Sequence, residues 1–395
     1  MKENKVLWQV AAAHFVSHVH IMAVPALLPL LPEAMGVGFV ELGIAIAVFN
    51  VVSALVQAPL GFMVDRWGAR NMLMAALAMG AMSFGVLAAV PTYWCLLLAM
   101  GAAGVANGVY HPADYALLSQ GAQPNKMGRA FSIHTFAGFL GAAVTPPLMV
   151  GVAIHWGVWQ AFAVAMMLAA VVWFFLFFVP VQLAPTLVAA TSEGKARPVK
   201  IPFKTIGGLT LLFLMLSLST DGLEKFSVSA LVQGFQTPLA DANQALTAFL
   251  FASAIGVLSG GVLADRFQQH GLIAAVAFGV AALLVLCVIY FPVAGLGLTL
   301  LLGCIGFLAG VVAPSRDMLV RQASPVGAEG RTFGIVSTGF NMGGVLGPLL
   351  FGYLLDNGLA AGVFWFAFIF MAMTTLMVML QELGRSSLEK ARIKL

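Results

Sequence analysis

The chain has 395 residues, of which 61% are hydrophobic and only 9% are charged, and its mean hydropathy is +0.99. A soluble domain of this length cannot cover so much apolar surface with so few polar groups, so the composition excludes a soluble globular protein. The formal net charge is +4, from 19 Lys and Arg against 15 Asp and Glu. We therefore predict an integral membrane protein.

Apolar runs long enough to cross about 30 Å of hydrocarbon recur along the whole chain. We predict twelve spans, numbered 1 to 12, at residues 6–31, 39–63, 72–90, 93–118, 130–154, 158–180, 205–234, 243–264, 271–291, 295–320, 332–355 and 359–381. The predicted fold class is thus an all-α membrane protein with 12 transmembrane helices. The one long polar connection divides it into a six-helix bundle at 1–181, a linker at 182–204 and a second bundle at 205–395.

The basic residues orient these spans, because Lys and Arg in short loops are retained in the cytoplasm. All but two of the 19 lie at the termini or in even-numbered connections. The exceptions are Lys225 in span 7 and Arg316 in span 10. We therefore expect a multi-pass protein of the cell inner (cytoplasmic) membrane, with both termini and the linker cytoplasmic. We expect the protein to contact the lipid bilayer and not to bind nucleic acid, because its net positive charge is explained by the basic residues of the cytoplasmic loops.

The second half of the chain repeats the first. A Gly-x-x-x-Asp-Arg motif begins at Gly61 and again 200 positions later, at Gly261. At an offset of 202 the halves agree at eight more positions, which in the first half are Gly104, Gly108, Pro112, Gln120, Gly128, Arg129, Phe131 and Pro146. This ordered agreement predicts two six-helix bundles of the same orientation, an arrangement that secondary transporters use.

Residues 61–70, GFMVDRWGAR, resemble the loop 2–3 signature of the major facilitator superfamily, which that family repeats where 261–266 lie. A narrower similarity, to the fosmidomycin-resistance type of these transporters, is carried by His14, Gly43 and His111-Pro112. The resemblance implies the superfamily's fold of two pseudo-symmetric six-helix bundles. Where that branch carries acids, beside the first His and after the Pro, this chain has His18 and Ala113.

The repeated motif predicts charged contacts at cytoplasmic helix ends, where a carboxylate is stabilised by a neighbouring helix N-terminus and a nearby base. By pseudo-symmetry, Asp65 is predicted to pair with Arg331, and Asp265 with Arg129. Such contacts would favour the outward-open state. The predicted gating residues are Gly61, Asp65, Arg66, Gly68, Arg70, Arg129, Gly261, Asp265, Arg266 and Arg331.

Ionisable residues within a span are costly, by roughly 2.5 to 3.5 kcal/mol each, unless they face protein or a water-filled cavity. The predicted substrate and proton pathway consists of His14, His18, Asn107, Tyr110, His111, Asp114, Asp221, Glu224, Lys225, Arg316, Asp317 and Asn341. Further polar residues within spans are Asn50, Gln57 and His134. Spans 3, 6, 9 and 12 have no ionisable residue in their middles and are predicted to face lipid.

Two ion pairs are predicted as gates. Asp114 and Arg316, which are 202 positions apart, form the inner one, and Lys225 with Asp221 or Glu224 forms the outer one. Alternatively, Arg316 anchors an anionic substrate, because a guanidinium matches a carboxylate or phosphonate in a bidentate fashion. Both bases could also simply snorkel to the interface.

The coupling ion is predicted to be a proton. Histidines change charge near neutral pH, so His14, His18 and His111 are candidate proton carriers, together with Asp221. His20 is turned away from His18 by about 200° at 100° per residue, so we expect no metal site and no cofactor.

The function predicted from these residues is secondary active transport of a small polar or anionic organic solute by alternating access, proton-coupled and carried out by a monomer. A drug–proton antiporter of fosmidomycin-resistance type is the alternative. From another class, a sensor or scaffold that does not transport stays open. An enzyme is not expected, because no nucleophile, base and orienting group occur together.

Overall fold

The computed structural model describes residues 2–121, 127–179, 203–267, 269–291, 293–323 and 329–393, although some side chains within these helices lie outside the description. Among the described residues, 12 helices are long and apolar enough to cross a membrane. Each is numbered after its predicted span. The predicted linker lies outside the described residues, apart from its last two residues, which begin helix 7.

The first six membrane helices are Lys2–Leu27, Phe39–Trp67, Ala69–Ala89, Tyr93–Gly121, Met127–Trp156 and Val158–Phe178. Helix 7 has three parts, which are Phe203–Asp221, a π-helical turn at Gly222–Phe226, and Ser227–Gly234. Helices 8 to 12 are Leu239–Arg266, His270–Tyr290, Gly295–Ala323, Glu329–Asp356 and Ala361–Ile393. The prediction of an all-α membrane protein with twelve spans is confirmed.

The prediction was wrong at the end of span 1, which we placed at residue 31. Helix 1 ends at Leu27, and a separate short helix, Leu31–Met35, follows it. Pro32 lies in the first turn of this short helix, where its missing N–H is tolerated. Gly36 then ends it with a left-handed φ of 65°.

Helices 2 and 3 are separated by a single residue, Gly68, rather than by the longer loop that the hydropathy suggests. Gly68 has a φ of 88°, which a residue without a Cβ adopts readily. The motif beginning at Gly61 is therefore the end of a helix and a tight turn. Polar residues such as Arg66 extend the helix beyond its apolar part.

Helix 7 contains an irregularity that hydropathy cannot reveal. The π-helical turn Gly222–Phe226 carries both Glu224 and Lys225. Gly222 lies against the ring of Phe351, where a Cβ would come within 2.7 Å of the ring. Single π turns place an extra residue in a helix and occur frequently at functional sites.

The chain divides into two compact units, Met1–Ala196 and Arg197–Leu395. In unit 1, helix 1 packs on helix 5, helix 2 on helix 4, and helix 3 on helices 4 and 6. In unit 2, helix 7 packs on helix 11, helix 8 on helix 10, and helix 9 on helices 10 and 12. Corresponding helices therefore pair in the same way in both units, as the sequence repeat predicts.

At two of the repeated positions, glycine is required for the same structural reason. A Cβ on Gly104 of helix 4 would lie 2.6 Å from the carbonyl oxygen of Phe49 on helix 2. A Cβ on Gly306 of helix 10 would likewise collide with the carbonyl oxygen of Phe249 on helix 8. Only glycine lets these backbones approach so closely, as is common between membrane helices.

Candidate functional site

A cluster of four imidazoles surrounds one carboxylate inside unit 1. His14 and His18 come from helix 1, His111 and Asp114 from helix 4, and His134 from helix 5; we call these five residues the histidine cluster. His134 Nε2 lies 3.0 Å from Asp114 Oδ2 and donates to it, while His14 Nδ1 lies 3.3 Å from the same oxygen. Asp114 is fully buried, and the cluster therefore holds its carboxylate away from lipid.

His14 is the centre of the cluster. Its ring stacks on that of His134 with centroids 3.7 Å apart. It also meets His18 edge-on at 4.8 Å and His111 edge-on at 5.4 Å. His14 is buried, whereas His18 and His111 are partly exposed. The cluster thus extends from a fully buried carboxylate to two rings that are partly exposed.

The packing of helix 5 on helix 1 brings these rings together. A Cβ on Gly138 of helix 5 would lie 2.7 Å from the ring of His14 and 2.8 Å from His18 Nε2. One turn further on, Gly141 lies against the backbone carbonyl of Phe15. Because two glycines face helix 1 at this level, the imidazoles fit between the helices.

Several buried polar atoms of the cluster keep unused hydrogen-bonding capacity. Among the described residues, Asp114 Oδ1, Tyr110 Oη and the Nδ1 atoms of His111 and His134 have no hydrogen-bond partner. His14 Nδ1 approaches Asp114 Oδ2 to 3.3 Å but makes no hydrogen bond with it. Most buried polar atoms in proteins are hydrogen-bonded. The cluster therefore has donors and acceptors to spare for a proton or for a polar group of a solute.

His14, Asp114 and His134 each offer one potential metal-ligand atom, and these atoms lie within 4.8 Å of one another. The two rings, however, are stacked with only 26° between their planes. A metal at about 2.0–2.1 Å from each nitrogen has to lie in the plane of both rings. Nearly parallel planes do not meet at that distance, so the geometry favours hydrogen bonds over a shared ion.

His20 takes no part in the cluster. Its Nε2 lies 3.3 Å from the carbonyl oxygen of Ala165 on helix 6, and its ring packs on Phe84 of helix 3. The helical spacing that separates it from His18 in the sequence therefore also separates it in the structure.

Unit 2 holds a second group of charges, on helices 7 and 10. Lys225 Nζ lies 2.6 Å from Asp221 Oδ1, and both side chains are largely buried. Glu224 interacts electrostatically with Asp221, Lys225 and Arg316. We call these four residues the charged cluster. It contains two acids and two bases.

Aromatic rings and one hydroxyl fix the charged cluster in place. The Arg316 guanidinium carbon lies 4.5 Å from the ring centroid of Phe340 and 5.5 Å from that of Phe213. Ser217 Oγ lies 3.3 Å from Asp221 Oδ2 and 3.2 Å from the carbonyl oxygen of Phe340. Helix 11 therefore supports both the acid on helix 7 and the base on helix 10.

Asn107 and Asn341, two further residues of the predicted pathway, belong to neither cluster. Asn107 donates to Ser53 Oγ at 2.8 Å and so links helices 4 and 2. Asn341 is exposed on helix 11, and the side chain of Asp317 lies outside the described residues. The predicted Asp114–Arg316 pair joins the two units and stays a prediction.

The gating motif is described in part. Arg70 donates to the carbonyl oxygen of Leu176 on helix 6, and Arg66 and Arg266 are exposed at helix ends. Gly61 faces Pro112 of helix 4. The side chains of Asp65, Arg129, Asp265 and Arg331 lie outside the described residues, so the two predicted pairs among them stay predictions.

Sequence reasoning noted His134 only as one more polar residue, yet it is the hydrogen-bond partner of Asp114. One signal could have identified it, because His134 is the single ionisable residue in the range 130–154. The aromatic neighbours of Arg316 have no comparable signal, since phenylalanines occur throughout the chain.

The sequence matches the family model of the Major Facilitator Superfamily twice, over residues 10–228 and 211–393. The chain therefore belongs to this superfamily and is a multi-pass membrane transporter. The first match runs from unit 1 into helix 7, and the second lies within unit 2.

Relatives and solved structures agree with this assignment. The chain is 28% identical over 339 residues to a multi-drug resistance efflux pump PmrA homolog of Lactococcus lactis subsp. lactis (strain IL1403), covering 82% of this chain and 81% of the relative. It is 24% identical over 369 residues to the fosmidomycin resistance protein of Escherichia coli (strain K12), covering 89% of this chain and 86% of the relative.

Among solved structures, a bacterial homolog of the human lysosomal transporter Spinster, in an inward-facing and occupied conformation, has the same fold. The TM-score is 0.76 at 13% sequence identity, covering 95% of this chain and 96% of that one. The major facilitator fold predicted from the repeated motif is confirmed.

Proposed function

We propose that this transporter couples the movement of a small polar or anionic organic solute to that of a proton, by alternating access. It works as a monomer in the cell inner membrane, with both termini cytoplasmic, and it needs neither a catalytic site nor a cofactor besides the proton. The observation that carries the proposal is the buried carboxylate of Asp114 among the imidazoles of the histidine cluster.

The charge of Asp114 needs compensation within the membrane. An isolated ionised carboxylate in a medium of low dielectric is strongly disfavoured. The ranges 6–31, 93–118 and 130–154, from the three helices that build the cluster, contain no Lys or Arg. Within these ranges the compensating charge is therefore a proton, either on the carboxylate or on an imidazole.

The geometry offers a route for that proton. Asp114 Oδ2 and His134 Nε2 are in hydrogen-bond contact, and His14 lies between them and the more accessible His18 and His111. A neutral imidazole has one ring nitrogen that accepts a proton and one that donates a proton, so it can pass a proton between neighbouring groups. Among the described residues, the phenols of Tyr110 and Tyr115 on helix 4 also face the cluster.

A drug–proton antiporter is the second candidate. It is favoured by the relatives, one named as a multi-drug resistance efflux pump homolog and another as a fosmidomycin resistance protein. Fosmidomycin is a phosphonate and belongs to the anionic class proposed here, so the two candidates differ chiefly in the direction of proton and solute movement.

Proteoliposomes containing the purified full-length chain test the proposal. An imposed pH gradient should drive the flux of at least one solute in a panel of organic anions, fosmidomycin and lipophilic cationic drugs, and counterflow should persist without a gradient. Flux with the proton gradient indicates symport, and flux against it indicates antiport. Counterflow that ignores the gradient would contradict proton coupling, and no flux at all would favour a sensor or scaffold.

A further inference from the structure

The charged cluster of unit 2 is balanced. Asp221 and Glu224 supply two negative charges, and Lys225 and Arg316 supply two positive ones. Helices 8, 11 and 12, which also pack in this unit, contain no charged residue over 242–264, 332–355 and 361–381. The side chain of Asp317, which follows Arg316 on helix 10, lies outside the described residues. Among the described side chains, the balance is therefore set by the four residues of the charged cluster.

Lys225 and Arg316 contact other side chains of the protein, whereas a snorkelling base extends to the membrane interface. Lys225 is directed back to Asp221 by an ion pair and lies on the π-helical turn. The Arg316 guanidinium carbon lies against the rings of Phe340 and Phe213, which meet each other edge-on with their centroids 4.8 Å apart. A guanidinium beside aromatic rings is held by cation–π attraction and suits the recognition of carboxylate-like groups.

We propose that Lys225 and Arg316 form a binding site for the anionic group of the solute, a carboxylate, sulfonate or phosphonate, and that this anion binds together with one proton on Asp221 or Glu224. Both bases act on Glu224, so a cationic environment already surrounds one acid. Protonation of an acid leaves the cluster with one excess positive charge, which the anion neutralises.

The coupling follows from charge balance. An anion added to a neutral cluster leaves one uncompensated negative charge within the membrane, which is costly. One proton removes that cost, so each ligand favours the binding of the other, and the coupling is reciprocal. A monoanion and a proton therefore bind as an electrically neutral pair.

Calorimetric titration of the full-length protein in detergent tests this site. Benzoate and methanesulfonate are the probes, since both keep one negative charge between pH 6 and 8, and benzamide is the neutral control of the same shape as benzoate. Titration in two buffers of different ionisation enthalpy gives the proton uptake, which should be about one per bound anion. Benzamide should bind more weakly by at least about tenfold.

Variants test the anion-binding part of the proposal and the proton-binding part separately. Asp221→Asn should bind benzoate with proton uptake reduced and a weaker dependence on pH. Lys225→Gln should weaken benzoate binding at least about tenfold, because one of two cations is lost. The double variant D221N/K225Q removes one charge of each sign and so keeps the charge balance. It replaces K225Q in the binding measurement if that single variant does not fold. Lys5→Gln and Asp241→Asn, at exposed or peripheral positions, are the controls.

Several outcomes overturn this inference. They are equal binding of benzoate and benzamide, failure of both anions to bind, no proton uptake, or unchanged binding by both K225Q and the folded double variant. The inference rests on the proposed function, yet the two fail differently. A wild-type protein that ignores a pH gradient contradicts the proposed function, whereas gradient-driven transport unaffected by D221N and K225Q contradicts only the anion site.

Discussion

His134 Nε2 donates a hydrogen bond of 3.0 Å to Asp114 Oδ2 and so joins helix 5 to helix 4 at a fully buried carboxylate. Neither residue lies in the signature that identifies the family. The pair nevertheless forms the base of the histidine cluster, and the proton coupling proposed for this transporter depends on it.

Asp114→Asn should uncouple transport from the proton. The amide has nearly the shape of the carboxylate but cannot take up a proton, so we expect counterflow to persist while acceleration by a pH gradient falls at least about tenfold. Solute flux in proteoliposomes, with and without the gradient, measures this. His155→Gln, at an exposed position on helix 5, is the control and should behave like the wild type. Gradient-driven flux at the wild-type rate in D114N would contradict the role of Asp114.

His134→Ala should destabilise unit 1 more in the wild type than in the D114N background. Removing the donor leaves a buried carboxylate without its hydrogen bond, a loss of about 1–3 kcal/mol. Thermal unfolding of the two single variants and the double variant gives the coupling energy between the residues. Additive effects of the two substitutions would show that the 3.0 Å hydrogen bond contributes nothing to stability.

Gly138→Ala should disturb the histidine cluster without changing any ionisable group. The added methyl would lie 2.7 Å from His14 and 2.8 Å from His18, so the rings have to move. Overpacking of this kind costs about 1–3 kcal/mol. We expect lower melting temperature and slower gradient-driven transport. Gly151→Ala on the same helix meets nothing within 4 Å and is the matched control. If both variants transport equally well, the packing of helix 5 does not position the cluster.

Gly306→Ala should destabilise unit 2 by forcing helix 10 away from helix 8. The backbone carbonyl of Phe249 occupies the place of the new methyl, and backbone yields less easily than a side chain. We expect a loss of at least about 1–3 kcal/mol, seen as earlier thermal unfolding. Gly207→Ala on helix 7, where nothing lies within 4 Å, should leave the melting temperature unchanged. Equal stability of both variants would contradict the explanation given for this repeated glycine.

The sequence predicted the fold almost completely, because the physical rules involved are local. The length of an apolar run decides whether a segment crosses the bilayer, and this identified the 12 membrane helices found among the described residues. The repeat related Gly104 to Gly306, and the structure places both against equivalent backbone carbonyls. The end of helix 1 at Leu27 and the π turn at Gly222–Phe226 were missed, since hydropathy does not report on helix geometry.

For the site, the sequence by itself determined which residues are candidates. An ionisable group within the membrane is costly, so His14, Asp114, Asp221 and Lys225 stand out against an apolar chain. Only the tertiary structure decided their partners. Asp114 meets His134 where helix 4 contacts helix 5, and Arg316 meets Phe340 where helix 10 contacts helix 11. Partners on different helices depend on how those helices are rotated and how closely they approach, and neither quantity is a property of any one segment.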